Sequence, residues 1–187
     1  ICFKYHAACY LTHSAIEATR QLCQSNAFDP NDIEDIEVQV DQGHLRVCNI
    51  LEPDTGLEAK FSLRLTVAMA ICDEDSASIS VFDDALTRDP DIVRFRDKVR
   101  VLPHTQPRPE TVVQIRTRTG EEYEAAVNVA IPMRDLDAQW AKLESKFSTL
   151  SSPVIGEAAT RRVVQACRSL EEVADIGDFS QQLRTVS

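Results

Sequence analysis

The sequence predicts an α+β fold: a small mixed or antiparallel sheet of about four strands, packed with helices and followed by C-terminal helices. Three observations predict it. Ile33–Val40 alternates Ile36, Val38 and Val40 with Asp35, Glu37 and Gln39, the period of a half-buried strand. Two more strand-like runs, 111–118 and 122–130, flank Thr119-Gly120, a short hairpin signal. Helical runs stand before, between and after these strands, in the order α-β-α-α-β-β-β-α-α.

Residues 12–25 read as the first helix, with Thr12 or Ser14 as N-cap and Ala15, Ile16, Thr19, Leu22 and Cys23 on one face. The turn at 28–32 ends it, and the strand at 33–40 follows. A loop then carries Gly43 and the turn Pro53-Asp54-Thr55-Gly56. Residues 59–72 read as a helix in which Arg64 and Thr66 are the only polar side chains after Ser62. A helix apolar all round is buried on nearly every side, so this one is central or faces a partner domain.

Residues 91–99 align Ile92, Phe95 and Val99 on a short amphipathic helix, and 99–102 reads as a strand. Leu136, Trp140, Leu143, Phe147 and Leu150 form an apolar helical stripe. Ser152-Pro153 opens another helix running to about residue 170, with serine at the N-cap and proline at the first helical position. A short helix is expected over 178–184. The domain reading is an α+β domain at 1–150 and a helical extension at 151–187.

A net charge of −10 argues against broad nucleic-acid binding, which needs clustered Lys and Arg. The longest apolar stretch, 65–72, is far short of the roughly 20 residues that cross a bilayer. Neither nucleic acid nor membrane is an expected partner. The six cysteines are widely spaced, without CxxC or a Cys/His cluster at zinc-ligand spacing, which points to reduced thiols and a reducing compartment. No phosphate-binding glycine loop, GxSxG elbow or HExxH pattern occurs, so neither metal nor cofactor is expected. The chain starts at Ile1, and it reads as a piece of a longer protein.

Two segments go further. Lys4-Tyr5-His6-Ala7-Ala8-Cys9-Tyr10-Leu11-Thr12-His13 runs from a lysine through a cysteine to a Thr-His pair that opens a helix. Pro53-Asp54-Thr55-Gly56 leads through Lys60-Phe61-Ser62 into the apolar helix. Both resemble hallmark segments of the MmgE/PrpD family, and weaker agreement continues to about residue 170. Ala7 stands where the family usually has proline, Tyr10 where arginine is common, and Asp73-Glu74-Asp75 lacks an expected glycine.

The resemblance implies a C-terminal α+β lid of a two-part enzyme, whose larger helical domain lies upstream and whose site is the cleft between them. It implies a lyase, a dehydratase or decarboxylase of small polycarboxylates such as 2-methylcitrate or cis-aconitate, working without a redox cofactor. A homodimer is expected for the full-length protein, in the cytoplasm or the mitochondrial matrix. By the same resemblance Lys4 and His13 are the catalytic candidates, and Cys9, Thr12, Lys60 and Ser62 the substrate-binding ones. Such chemistry needs cations for carboxylates and for enolate-like charge, and a proton carrier of near-neutral pKa. An epimerase of the same family is the runner-up, and a non-catalytic interaction domain the alternative from another class.

Overall fold

A computed structural model describes residues 2–25, 28–181 and 183. The chain divides into two compact units, Ile1–Pro132 and Met133–Ser187.

The first unit holds α1 (His13–Ser25), β1 (Ile33–Val40), α2 (Gly56–Ala59), α3 (Leu63–Ile71), α4 (Pro90–Arg96), β2 (Val99–Pro103), β3 (Thr111–Thr117) and β4 (Glu122–Val127). The strands form one mixed sheet in the order β2-β1-β3-β4. β1 runs parallel to β2, and the other two pairings are antiparallel. Alternation sorts the side chains into two faces. Ile36 lies beside Val99 and Ile115, and Val38 beside Val101 and Val113, all buried under the helices. On the opposite face Arg100 holds Asp35 with two bonds of 2.9 and 2.8 Å and reaches Glu37 at 3.2 Å. The Arg100 guanidinium keeps the Asp35 carboxyl below the usual carboxylate range.

α3 is the central helix that its composition predicts. It packs against α1, α4 and β2, and only Arg64 among its residues escapes full burial. The expected helix over 59–72 is nevertheless two helices. Ser62 leaves the helical conformation at φ −111° and caps α3 by accepting from Leu65 N at 3.2 Å. Its hydroxyl donates to Ile50 O at 2.8 Å, so the break is fixed by a loop distant in sequence. Three further boundaries differ. Thr12 lies in a short 3-10 turn and donates to Cys9 O at 2.8 Å, and Ser14 lies inside α1 and accepts from Val129 N at 3.3 Å. Neither caps the helix. Val99 belongs to β2 beside Ile36, and β4 stops at Val127.

α3 ends where the expected glycine is lacking. Asp73 takes up the left-handed conformation there, at φ +57°. Glu74 N reaches back to Met69 O at 2.9 Å, the closure that glycine usually supports after a helix. Aspartate is among the few other residues that tolerate this backbone.

The second unit holds α5 (Leu136–Ile155), α6 (Glu157–Arg168) and α7 (Ile176–Gln181). Ser152-Pro153 does not open a helix. α5 runs through it to Ile155, and the expected division between residues 150 and 151 falls inside α5. Packing carries the helix past the proline, because Ile155 joins Phe147, Ala159 and Val163 in the small core of this unit. Pro153 has no N–H to give, so α5 forgoes one intrahelical bond in its last turn. Gly156 makes the turn instead, at φ +83°, a conformation closed to most side chains. The short helix expected at 178–184 covers Ile176–Gln181, and its last predicted residue, Arg184, lies outside the described residues. Among the described residues no helix is long and apolar enough to cross a membrane.

Candidate functional site

Residues 2–9 have no repeating hydrogen-bond pattern and are held by single contacts. Ala7 N donates to Ser76 O at 2.7 Å, and Cys9 N donates to Lys60 O at 3.0 Å. The second bond brings the two motif segments together across about fifty residues of sequence. Tyr10 closes the other side, its hydroxyl donating to Val129 O at 3.0 Å.

The second motif is built for close approach. Thr55 and Glu58 form a reciprocal capping box at the start of α2. Gly56 N donates to the Asp84 carboxylate at 2.9 Å, and a Cβ on Gly56 would stand 2.1 Å from Phe82 O. Only glycine lets the backbones of 53–59 and 82–84 lie this close. Their contact aims the Lys60 ammonium at the Phe82 ring, 5.5 Å from its centroid.

The candidate residues fall into two groups. Lys4 is exposed, and Cys9 and Lys60 are half-buried. Thr12 and Ser62 are fully buried with their hydroxyls engaged by the backbone, at Cys9 O and at Ile50 O and Leu65 N. His13 is 1% exposed, its ring 4.8 Å from that of His6 and 5.2 Å from that of Tyr10. The structure therefore gathers Cys9 and Lys60 at a surface and encloses Thr12, His13 and Ser62 beneath it. The Cys9 thiol also meets Cys48, whose own thiol is pushed far above its ordinary range by burial and by that neighbour.

One cluster escapes sequence reading. His6 is 2% exposed, with Nδ1 2.8 Å from Ser76 Oγ and Nε2 3.0 Å from a Glu17 carboxylate oxygen. Serine, histidine and carboxylate in line is the order of a hydrolase triad. Ser76 is 1% exposed, however, so no acyl group reaches its oxygen. Nothing in the local sequence signals Ser76, which lies 70 residues from His6.

Among the described residues no three His, Cys, Asp or Glu side chains converge as a metal site requires. No curated protein matches the chain. The family model of the MmgE/PrpD C-terminal domain matches residues 6–172, and with its sheet, its central helix and its two joined motif segments the chain belongs to that family.

Proposed function

We propose that this chain is the lid of a lyase acting on small polycarboxylates, a dehydratase or decarboxylase, completed by a helical domain outside the residues described. The observation that carries the reading is the bond from Cys9 N to Lys60 O within a chain of this family, which sets the Lys4–Cys9 segment beside a second lysine.

Loss of water or carbon dioxide from such a substrate gathers negative charge on the carbon skeleton and an adjacent carboxylate. Preorganised cations lower the energy of that charge more in a closed, water-poor cleft than in bulk solvent. Lys4 and Lys60 are the cations that the two motif segments contribute to this reading. Lys4 holds a carboxylate or delivers a proton, and Lys60 holds a second carboxylate. The half-buried Cys9 thiol lines the same surface. Burial supports an architectural reading of the other candidates: His13 forms the wall behind Tyr10, Thr12 holds the turn into α1, and Ser62 caps α3.

The test incubates the full-length protein, and in parallel the 1–187 chain alone, with 2-methylcitrate, citrate and cis-aconitate, with products followed by NMR. Turnover by the full-length protein and none by the chain alone is expected. No turnover of any of the three by the full-length protein defeats the lyase reading. Turnover by the chain alone defeats the idea of a divided site. Solvent deuterium entering substrate without net elimination would transfer the assignment to an epimerase.

A further inference from the structure

We propose that Cys9 and Cys48 form a redox switch on the site, closing to a disulfide under peroxide, shifting Lys60 and slowing turnover. The inference rests on the lyase reading above and adds a means of control which that reading does not contain.

Backbone far apart in sequence brings the two thiols together. Cys9 N donates to Lys60 O at 3.0 Å, and Cys9 O accepts from Thr12 N at 3.0 Å and from the Thr12 hydroxyl at 2.8 Å. Cys48 N donates to His44 O at 2.8 Å, and Cys48 O accepts from Leu63 N at 3.0 Å. Each cysteine is thus pinned through its own amide and carbonyl, one at either end of the segment 60–63. Cys48 is fully enclosed, Cys9 packs on the same core from its half-buried position, and both are free thiols. Their sulfurs meet there as hydrogen-bonding neighbours.

Exposure sets the order of reaction. Hydrogen peroxide reaches Cys9 before the enclosed Cys48. The Cys9 thiolate attacks one peroxide oxygen, the O–O bond breaks, hydroxide leaves, and Cys9 becomes a sulfenic acid. Burial and the Cys9 thiol push the Cys48 thiol far up, which keeps it protonated while Cys9 is reduced. Oxidation of Cys9 removes the second of those causes. The Cys48 sulfur then attacks the Cys9 sulfur, the sulfenic hydroxyl leaves with the Cys48 proton as water, and the S–S bond forms. The two thiols have lost two electrons and two protons, and the peroxide has become two waters. Exchange with a small thiol in excess reverses the closure.

The effect falls on Lys60. A disulfide bond is about 2.05 Å long, so two thiols in contact must draw together by about 1 Å or more to form it. That movement pulls on the Cys9-to-Lys60 and Leu63-to-Cys48 bonds, at the two ends of the segment that carries Lys60. The Lys60 ammonium leaves its place over the Phe82 ring, and misplacement by about 1 Å is enough to lower a rate a hundredfold.

The experiment uses the full-length protein, wild type and Cys48→Ala, treated with hydrogen peroxide, then alkylated and mapped by peptide mass. Wild type is expected to show Cys9 joined to Cys48. On any polycarboxylate that it turns over, its rate should fall about tenfold or more and return on adding dithiothreitol. Cys48→Ala removes the resolving thiol and should match wild-type turnover before treatment. After treatment its Cys9 should advance to sulfinic acid, and dithiothreitol should not restore the lost rate. The wild-type map decides the pairing even where Cys48→Ala folds poorly. Cys9 left unlinked to Cys48, or linked to another cysteine, overturns the inference. So does a Cys9–Cys48 link with unchanged turnover, or full recovery of treated Cys48→Ala. Should the wild type turn over none of the substrates, the lyase reading falls, and the map before and after dithiothreitol still decides whether the two thiols close reversibly.

Discussion

Gly56→Ala places a methyl group where backbone already is. The added carbon would stand 2.1 Å from Phe82 O, 2.5 Å from Phe82 C and 2.7 Å from Asp83 Cα. No side-chain rotation relieves this, because all three atoms are main chain. The segments 53–59 and 82–87 must part by an ångström or more, against the Gly56-to-Asp84 bond at 2.9 Å and the Thr87-to-Asp54 bond at 3.2 Å. Overpacking of this kind costs about 1–3 kcal/mol, and each loosened hydrogen bond about 1 kcal/mol more. Alanine returns roughly 0.4–1 kcal/mol by restricting the unfolded chain. The net expectation is a loss of about 2–4.5 kcal/mol, or a fall in melting temperature of roughly 8–18 °C for a unit of this size. Urea and thermal unfolding followed by circular dichroism measure it. Gly43→Ala is the control, since its methyl would meet only the flexible carboxylate end of Asp41, at 2.9 Å. A Gly56→Ala variant as stable as wild type, or no worse than the control, refutes the close-approach argument and with it the reason for glycine in this motif.

Asp73→Gly is expected to stabilise the chain by up to about 1 kcal/mol, because glycine takes the φ of +57° without strain, and Asp73→Val to destabilise it; denaturant midpoints separate the two. In the full-length protein, Lys4→Ala should change stability by no more than roughly 0.5 kcal/mol yet lower turnover by roughly a hundred- to a thousandfold. Lys4→Arg should restore only part of the rate, and near-wild-type kinetics for Lys4→Ala would remove Lys4 from the site. Under mildly alkaline conditions exposed Cys2 and Cys167 should alkylate first. Cys72, pushed up to about 11 by burial and by Asp91 and Glu74, and Cys48, pushed higher still, should react only after unfolding, and mass mapping over time gives the order.

Much of the fold is legible in the sequence because its signals are local. The alternation over 33–40 specifies β1 to the residue, and the turn at Thr119-Gly120 specifies the hairpin of β3 and β4. The apolar run from Leu63 onward announces a buried central helix. Both motif segments stand out by their resemblance to the MmgE/PrpD family. Two of the misread boundaries share one cause. At Ser62 and at Pro153 the local preference was outweighed by a contact from elsewhere, Ile50 O in the first case and the packing of Ile155 in the second.

The sequence by itself determined the element types and the α+β class, because periodicity and turn chemistry act over a few residues, and the two motif segments stand out in it by family resemblance. Tertiary structure alone decided the strand order, the parallel pairing of β1 with β2, the meeting of Cys9 with Lys60, and the placing of His6 against Ser76. It also decided that Thr12, His13 and Ser62 lie enclosed while Lys4 stays at the surface. These depend on partners tens of residues apart, and only burial of the shared core selects which of them meet.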